Sequence, residues 1–586
     1  MLLKHLNKIT DCGIISKNTF GGYIMKFKDF KYERPNIEEI EKAYKKAIAI
    51  ILGDVSLDDV INGIEEINKV RADFETMSSL CSVRYSINTT DQFYEQESEF
   101  FDENSPVVSA FETELAKALL DCKYQKELKE KYGEHLFNML KVQLESFNPI
   151  IIEDMKQENK LVTKYEKLIA SAKIEYQGGV YNTSQMAPFL TSTDREVRKS
   201  SEKALWKFFE ENSDEFDSIY DELVKTRDTM AKKLGYKNYI ELGYKRLGRL
   251  DYNSDDVANY RKQICEEIVP LAGKIVEKQA KRIGIKDIKN YDLNLEFLSG
   301  NPKPIGDLEY KVNTARKMYH EMSKETGEFI DFMIDNELMD LEAKPGKMSG
   351  GYCTSFRNYK APFVFSNFNG TSGDVDVLTH EMGHAFQNYC SRNFEVLEYV
   401  WPTMEAAEIH SMSMEFFAYP WIEDFFKEDT AKYLYSHLTG TITFIPYGAC
   451  VDEFQHEVYE HPEMTPQMRK ELWSRLEKKY TPYKVYENEF LKQGNYWIRQ
   501  SHIFSTAFYY IDYTLAQVCA QQFWVKNQVD PKKAWEDYLR LCKAGGSKSF
   551  TKLLEVANLK NPFNDGSIKY VTEKLEKWIE ENDKVS

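Results

Sequence analysis

Residues 371–390 read TSGDVDVLTHEMGHAFQNYC, and within them His380, Glu381, Met382, Gly383 and His384 spell H-E-x-x-H. On a helix, positions i and i+4 lie about 40° apart around the axis and about 6 Å apart along it. Both imidazoles then reach one metal ion, and Glu381 projects beside it. Val375, Leu378, Met382 and Phe386 recur at helical spacing, and Thr371 with Asp374 has the form of a capping box. The segment is therefore expected to be a helix that buries its apolar stripe and turns the histidines to another face. A chance match on an ordinary amphipathic helix is the bland reading, and ten histidines in the whole chain make it rare.

Just upstream, PGKMSGGYCTSFRNYKAPFVFSNFNGTSG (345–373) loses the helical spacing. Its glycines, Tyr352 and the run Phe363, Val364, Phe365 predict short strands that feed into the His380 helix. A strand edge beside a metal can pair with an extended peptide backbone, and a purely structural hairpin accounts for the pattern equally well.

A hydrolytic zinc site needs a third protein ligand and an open position for water. The H-E-x-x-H-x-x-G-x-x-H continuation is excluded, because Gln387 and Cys390 stand where it requires glycine and histidine. A carboxylate from a following helix remains, and WPTMEAAEIHSMSMEFFAY (401–419) offers Glu405, Glu408 and Glu415. Glu405 and Glu408 are one turn apart, and apolar spacing does not choose between them. Asp376, one turn before His380, either orients that imidazole or stabilises the helix N-terminus. His456, Glu460 and His461 form a decoy with no metal-ligand spacing, and a structural role is expected for them.

His380-Glu381-x-x-His384, with the later form E-x-x-S-x-x-x-E at Glu408, Ser411 and Glu415, resembles the thimet oligopeptidase and oligoendopeptidase F family of zinc peptidases. The resemblance implies Glu408 as third ligand to one zinc ion and leaves Glu405 on the helix surface, with Glu415 either supporting the ligands or simply exposed. A second stretch, SHIFSTAFYYIDYTLAQVCAQQFW (501–524), is similar to the family's histidine and tyrosine-rich helix. Carried over residue by residue, it implies His502, Tyr510 and Tyr513 as donors to the oxyanion that develops as water attacks a carbonyl, with Tyr509 as the alternative to Tyr510. His502 stands one residue closer to the tyrosines than in the thimet branch. Lys543-Ala-Gly-Gly-Ser547 resembles the family as a glycine turn near the cleft.

The remainder of the chain bounds these expectations. With 586 residues and a net charge of −17, it can bury a large core and repels phosphate backbones and anionic membranes, so no nucleic-acid or membrane partner is expected. No apolar run approaches the about 18 residues that a span needs, and nine scattered cysteines without a C-x-x-C pair suit a reducing cytoplasm. Met25 opens MKFKDFKYERP, which marks 1–24 as a candidate upstream extension.

From Pro35 the pattern is helical. Ile37, Ile40, Tyr44, Ile48 and Ile51 are followed by Gly53 and a Ser56/Asp59 cap, with polar breaks at Asn88–Asp91 and Asp102–Pro106. Gly178-Gly179 predicts a small hairpin, and Thr193 with Glu196 predicts a capping box at a boundary near residue 195. The expected organisation is an N-terminal helical region (25–195) and a catalytic region (196–586).

The fold class is mainly α with a small β element beside the H-E-x-x-H helix; the resemblance adds two lobes and a deep central channel that admits short unfolded peptides. The expected activity is internal cleavage of oligopeptides, with Glu381 as general base. Two rivals stand beside it. A helical zinc carboxypeptidase is disfavoured by the tyrosines, and a non-catalytic peptide-binding protein with a vestigial motif would show no hydrolysis.

Overall fold

The computed structural model describes residues 25–583 and 585, so the candidate extension over 1–24 lies outside the described residues. The chain is 71% helix and 4% strand, and most of that strand lies against the H-E-x-x-H helix.

Near the N-terminus, the helix Ile37–Ile51 buries Ile40, Tyr44, Ala47 and Ile51 and is capped by Asn36, whose side chain accepts from the amides of Glu38 and Glu39. It packs on Leu57–Ile87, which begins with the reciprocal Ser56/Asp59 capping box expected from the sequence. The anticipated break at Asp102–Pro106 does not occur. One helix runs from Gln92 to Asp121 straight through Pro106. Proline removes one amide from the ladder, and side chains bond carbonyls around it: Asn104 donates to Phe100 O and Ser109 to Ser105 O. These helices share an apolar cluster with Val396 and Tyr399. The Tyr399 hydroxyl donates to Tyr132 O and accepts from the amide of Leu136, which ties the N-terminal helices to the chain entering the Glu408 helix.

The hairpin forms from β1 (Ile174–Tyr176) and β2 (Gly179–Tyr181), antiparallel with Tyr176 opposite Gly179. Its turn is Gln177-Gly178, both with positive φ (46° and 81°), so only the first of the two glycines serves the turn. The next helix, Arg195–Glu211, is capped by Asp194 through the Glu196 amide, not by Thr193; the carboxylate one residue later has the shorter reach.

Beside the metal motif lie β3 (Met339–Glu342), β4 (Tyr352–Phe356) and β5 (Ala361–Phe368). Their order is β3-β5-β4, with β3 parallel and β4 antiparallel to the central β5. Strand β5 is buried from Ala361 to Ser366 and passes through a short turn into the helix Gly373–Ser391.

The expected Thr371/Asp374 capping box is replaced by a different device. Asn369 accepts from the amide and hydroxyl of Thr371, while Asp374 turns back to accept from the amides of Asn369 and Gly370 and from Lys311. A buried lysine draws the carboxylate toward itself and away from the Thr371 amide.

The core around the motif consists of this helix together with Met404–Phe417, Thr430–Glu460 and Tyr510–Val529. Among the described residues, no helix is long and apolar enough to cross a membrane.

Candidate metal centre

Val375, Leu378, Met382 and Phe386 are all buried, as the 3.6-residue spacing predicts, and the helix turns His380 and His384 toward Glu408. Gly383, between the histidines, sets how close the partner helix comes. A Cβ there would lie 2.6 Å from both His410 O and Ser411 Cα, so the two backbones cross in direct contact. That crossing brings Glu408 under the histidines.

One ligand atom from each of His380, His384 and Glu408 falls within 4.8 Å of the others. Glu408 Oε2 lies 3.3 Å from His380 Nε2 and 3.5 Å from His384 Nε2. Donors held about 2.0 to 2.1 Å from a tetrahedral zinc stand about 3.3 to 3.4 Å apart, so the donor set fits that ion by type and by spacing. Charge tells the same story. Burial alone would lower the pKa of His380, but hydrogen bonds to Glu408 and Glu415 hold it well above its ordinary value. Burial would likewise raise Glu408, and His384 and His380 hold it well below the carboxylate range.

Glu415 fixes the tautomer. Its Oε1 is 2.6 Å from His380 Nδ1, which leaves Nε2 to face Glu408. Its Oε2 is 2.7 Å from His437 Nε2, whose Nδ1 meets the Tyr419 hydroxyl at 2.7 Å. Burial works against ionisation of Glu415, but His380 and His437 bring its pKa down to about 2. Of the two roles open to it, Glu415 thus has the supporting one. Asp376 does not bond His380; it accepts from Tyr433 at 2.6 Å. His437 was not legible in the sequence, because it sits on a long, mostly buried helix with no motif around it. On the other imidazole, His384 Nδ1 is buried without a hydrogen-bond partner.

Glu405 departs from its expected place on the helix surface. The helix is enclosed on all sides from Glu405 to Phe417. Glu405 is 1% exposed, its carboxylate is pushed up by burial, and Arg249 is the main group that opposes this. It is not among the residues whose ligand atoms converge. Glu381 makes no hydrogen bond among the described residues, and burial raises its pKa. One of its oxygens lies 3.8 Å from where a Cβ on Gly351 would be, at the entry to β4.

The second predicted stretch arrives from the opposite side. His502 Nε2 lies 3.3 Å from the Tyr513 hydroxyl, and the ring centroid of Tyr510 is 5.0 Å from that of His502. The Tyr510 ring packs against Phe444 and Tyr447. Tyr509 takes a place the sequence did not reveal: its hydroxyl donates to Glu408 Oε1 at 2.8 Å, while Ser411 donates to Oε2 at 3.0 Å. The decoy stays apart, with His456 against Tyr244 and Glu460 bonded to Lys237 and Asn238. The Gly545-Gly546 turn abuts the short 3-10 turn and loop that lead to the Glu408 helix. A Cβ on either glycine would lie within 2.3 Å of Tyr399 O or Trp401 O.

The sequence pattern described as "Peptidase M3 N-terminal domain" matches residues 27–147, and that of "Peptidase family M3" matches residues 189–572. Oligoendopeptidase F (chromosomal) of Lactococcus lactis subsp. cremoris is 23% identical over 410 residues, covering 66% of this chain and 65% of that protein. Oligopeptidase PepF of Bacillus subtilis is 22% identical over 380 residues, covering 63% of this chain and 55% of that protein. The matches thus span under two thirds of the length of these relatives. A solved structure of PZ peptidase A with an inhibitor is 51% identical and superposes with a TM-score of 0.93 over 95% of this chain and 100% of that one.

Proposed function

The chain belongs to peptidase family M3, and from that premise we propose that it is a zinc-dependent endopeptidase that hydrolyses internal bonds of short unfolded peptides. The observation that carries this reading is the convergence of His380 Nε2, His384 Nε2 and Glu408 Oε2 beside the open carboxylate of Glu381. These three residues would hold one zinc ion. Such an ion supplies Lewis-acid polarisation and brings the pKa of water from about 15.7 toward about 7.

The protein's own groups do the rest. Glu415 keeps His380 in the tautomer whose Nε2 is free. Glu381 has a raised proton affinity and no hydrogen bond to break, so it takes the proton of the attacking water and passes it to the leaving nitrogen. His502, Tyr510 and Tyr513 face the substrate as donors to the developing oxyanion. Strand β4 is an edge of its sheet and begins beside Glu381, which suits an extended peptide backbone. Division of the chain near residue 195 places every one of these groups in the C-terminal region. With Cys81, Cys122 and the other described cysteines unpaired, a reducing cytoplasm is the compartment that fits.

The test is metal analysis combined with a peptide quenched at both ends and amidated at its C-terminus. Internal cleavage that is abolished by chelator and restored by zinc is expected. Release of C-terminal residues from free peptides alone would make the protein a carboxypeptidase, and zinc binding without hydrolysis would make it a binding protein. Glu381→Gln should keep the metal and lose turnover.

A further inference from the structure

We infer that Gln500 is a positioning residue for His502, holding its ring in the Nε2–H tautomer so that the imidazole is a donor on the side of Tyr513 and leaves the Tyr513 proton free for the peptide. The inference rests on the peptidase reading above and adds a residue to it. The Tyr447 hydroxyl lies 3.0 Å from Gln500 Oε1. In this arrangement the amide oxygen accepts from the hydroxyl. The other end, Nε2, only donates, and it lies 2.8 Å from His502 Nδ1. Nδ1 therefore offers its lone pair, and a neutral ring that accepts at Nδ1 carries its proton on Nε2.

Burial pushes its pKa down, against a weaker opposite pull from Glu408, and so favours the neutral ring. The other polar groups around it are the hydroxyls of Tyr509, Tyr510 and Tyr513, whose ring centroids lie 5.8, 5.0 and 5.5 Å away. With Nε2–H directed at Tyr513 O, 3.3 Å away, the Tyr513 proton is released to point at substrate. The opposite tautomer would aim two lone pairs where charge must be stabilised. Tyr447 gives the relay a rigid base, since it is carried by the long helix Thr430–Glu460 and packs edge-on against Tyr496 and Tyr510.

A purely structural Gln500, one that only ties its segment to that helix, makes different predictions. In the zinc-loaded enzyme, Gln500→Leu should lower kcat by about tenfold to a hundredfold, approaching the loss of one oxyanion donor, with KM little changed. Gln500→Glu keeps the Tyr447 contact but accepts from Nδ1–H. The imidazolium of this variant still donates from Nε2, whereas its neutral ring does not. Its activity should therefore fall as pH rises through the new His502 pKa, along a limb that the wild type lacks. Neither substitution should matter in a His502→Gln background, where there is no tautomer to choose.

Ring-nitrogen NMR of the holoenzyme, with His502 assigned by the signals missing in His502→Gln, reads the tautomer without any assay. An Nδ1–H ring in the wild type overturns the inference. So does a wild-type pH profile in Gln500→Glu, or an undiminished effect of Gln500→Leu in the His502→Gln background. Failure of the zinc-loaded wild type to cleave peptides would remove the peptidase reading and leave the tautomer measurement to decide this point.

Discussion

A side chain on Gly383 would lie 2.6 Å from the carbonyl oxygen of His410, so the spacing of the helices that carry His380, His384 and Glu408 is set by the absence of a single methyl group. Neither neighbour at this crossing is the end of a flexible side chain; both are backbone. Gly383→Ala should force the helices apart, cost about 1 to 3 kcal/mol through overpacking, and carry Glu408 away from the histidines. Thermal melting with and without zinc checks this. The variant should lose most of the stabilisation that zinc gives the wild type, and a normal zinc-induced shift would mean that the crossing does not govern the ligand set.

Glu415 accepts from His380 Nδ1 at 2.6 Å and faces His437 at 2.7 Å. Glu415→Gln keeps the shape but presents an amide that must choose between donating and accepting, so His380 is no longer held in one tautomer. Zinc affinity should drop by about tenfold to a hundredfold, and activity should return when zinc is added in excess. Competition against a chromogenic chelator measures the first effect directly. Unchanged affinity would leave Glu415 with a packing role only.

The parts of this site that were readable from the sequence are those whose geometry is local. His380 and His384 share a face because they are four residues apart; spacing left Glu405 and Glu408 open, and the resemblance of the E-x-x-S-x-x-x-E form to the family is what pointed to Glu408 and raised Glu415. Tyr509 was named only as the alternative to Tyr510, and its contact with Glu408 was hidden, as were His437 and Gln500, since each depends on a residue far away in the chain. The surface expectation for Glu405 came with the resemblance, and nothing in the local sequence announces that this side chain is enclosed with Arg249 as its main charge influence. The Asp102–Pro106 break failed because tertiary packing outweighed the local cost of proline. The replaced cap at Thr371 traces to a distant lysine, Lys311, that no local pattern announces.

Glu158 is buried between Arg227 and Arg246, and Arg227 also donates to Phe504 O in the segment that carries His502. Burial alone would raise its pKa, but the two arginines bring it down to about 2. A depressed carboxyl contributes stability above its unfolded pKa of about 4.3, and that stability is lost as pH falls through the folded value. Stability should therefore decline between about pH 5 and pH 2 more steeply in the wild type than in Glu158→Gln. The variant should also be about 3 to 5 kcal/mol less stable at neutral pH, because Arg227 loses its charge partner. Urea unfolding across pH tests both, and parallel pH curves for the two proteins would remove Glu158 as the cause.

Phe508 has φ +67°, a conformation that bulky side chains rarely adopt, and it immediately precedes Tyr509, which donates to Glu408. Three contacts hold the kink. The Phe508 amide donates to Gln455 Oε1, Arg249 donates to its carbonyl, and its ring lies where a Cβ on Gly243 would be, 2.7 Å away. The missing side chain at Gly243 thus makes room for the ring whose backbone aims Tyr509 at Glu408. Gly243→Ala should move the ring, let the kink relax and separate Tyr509 from Glu408. Leaving Glu408 Oε1 unsatisfied costs about 1 to 3 kcal/mol. The expected result is weaker zinc binding and lower kcat at a given temperature, with Tyr509→Phe giving the same change in zinc affinity. Combining the two should add little, because both remove one hydrogen bond. Additive losses in the double variant would show that Gly243 acts on the site by some other route.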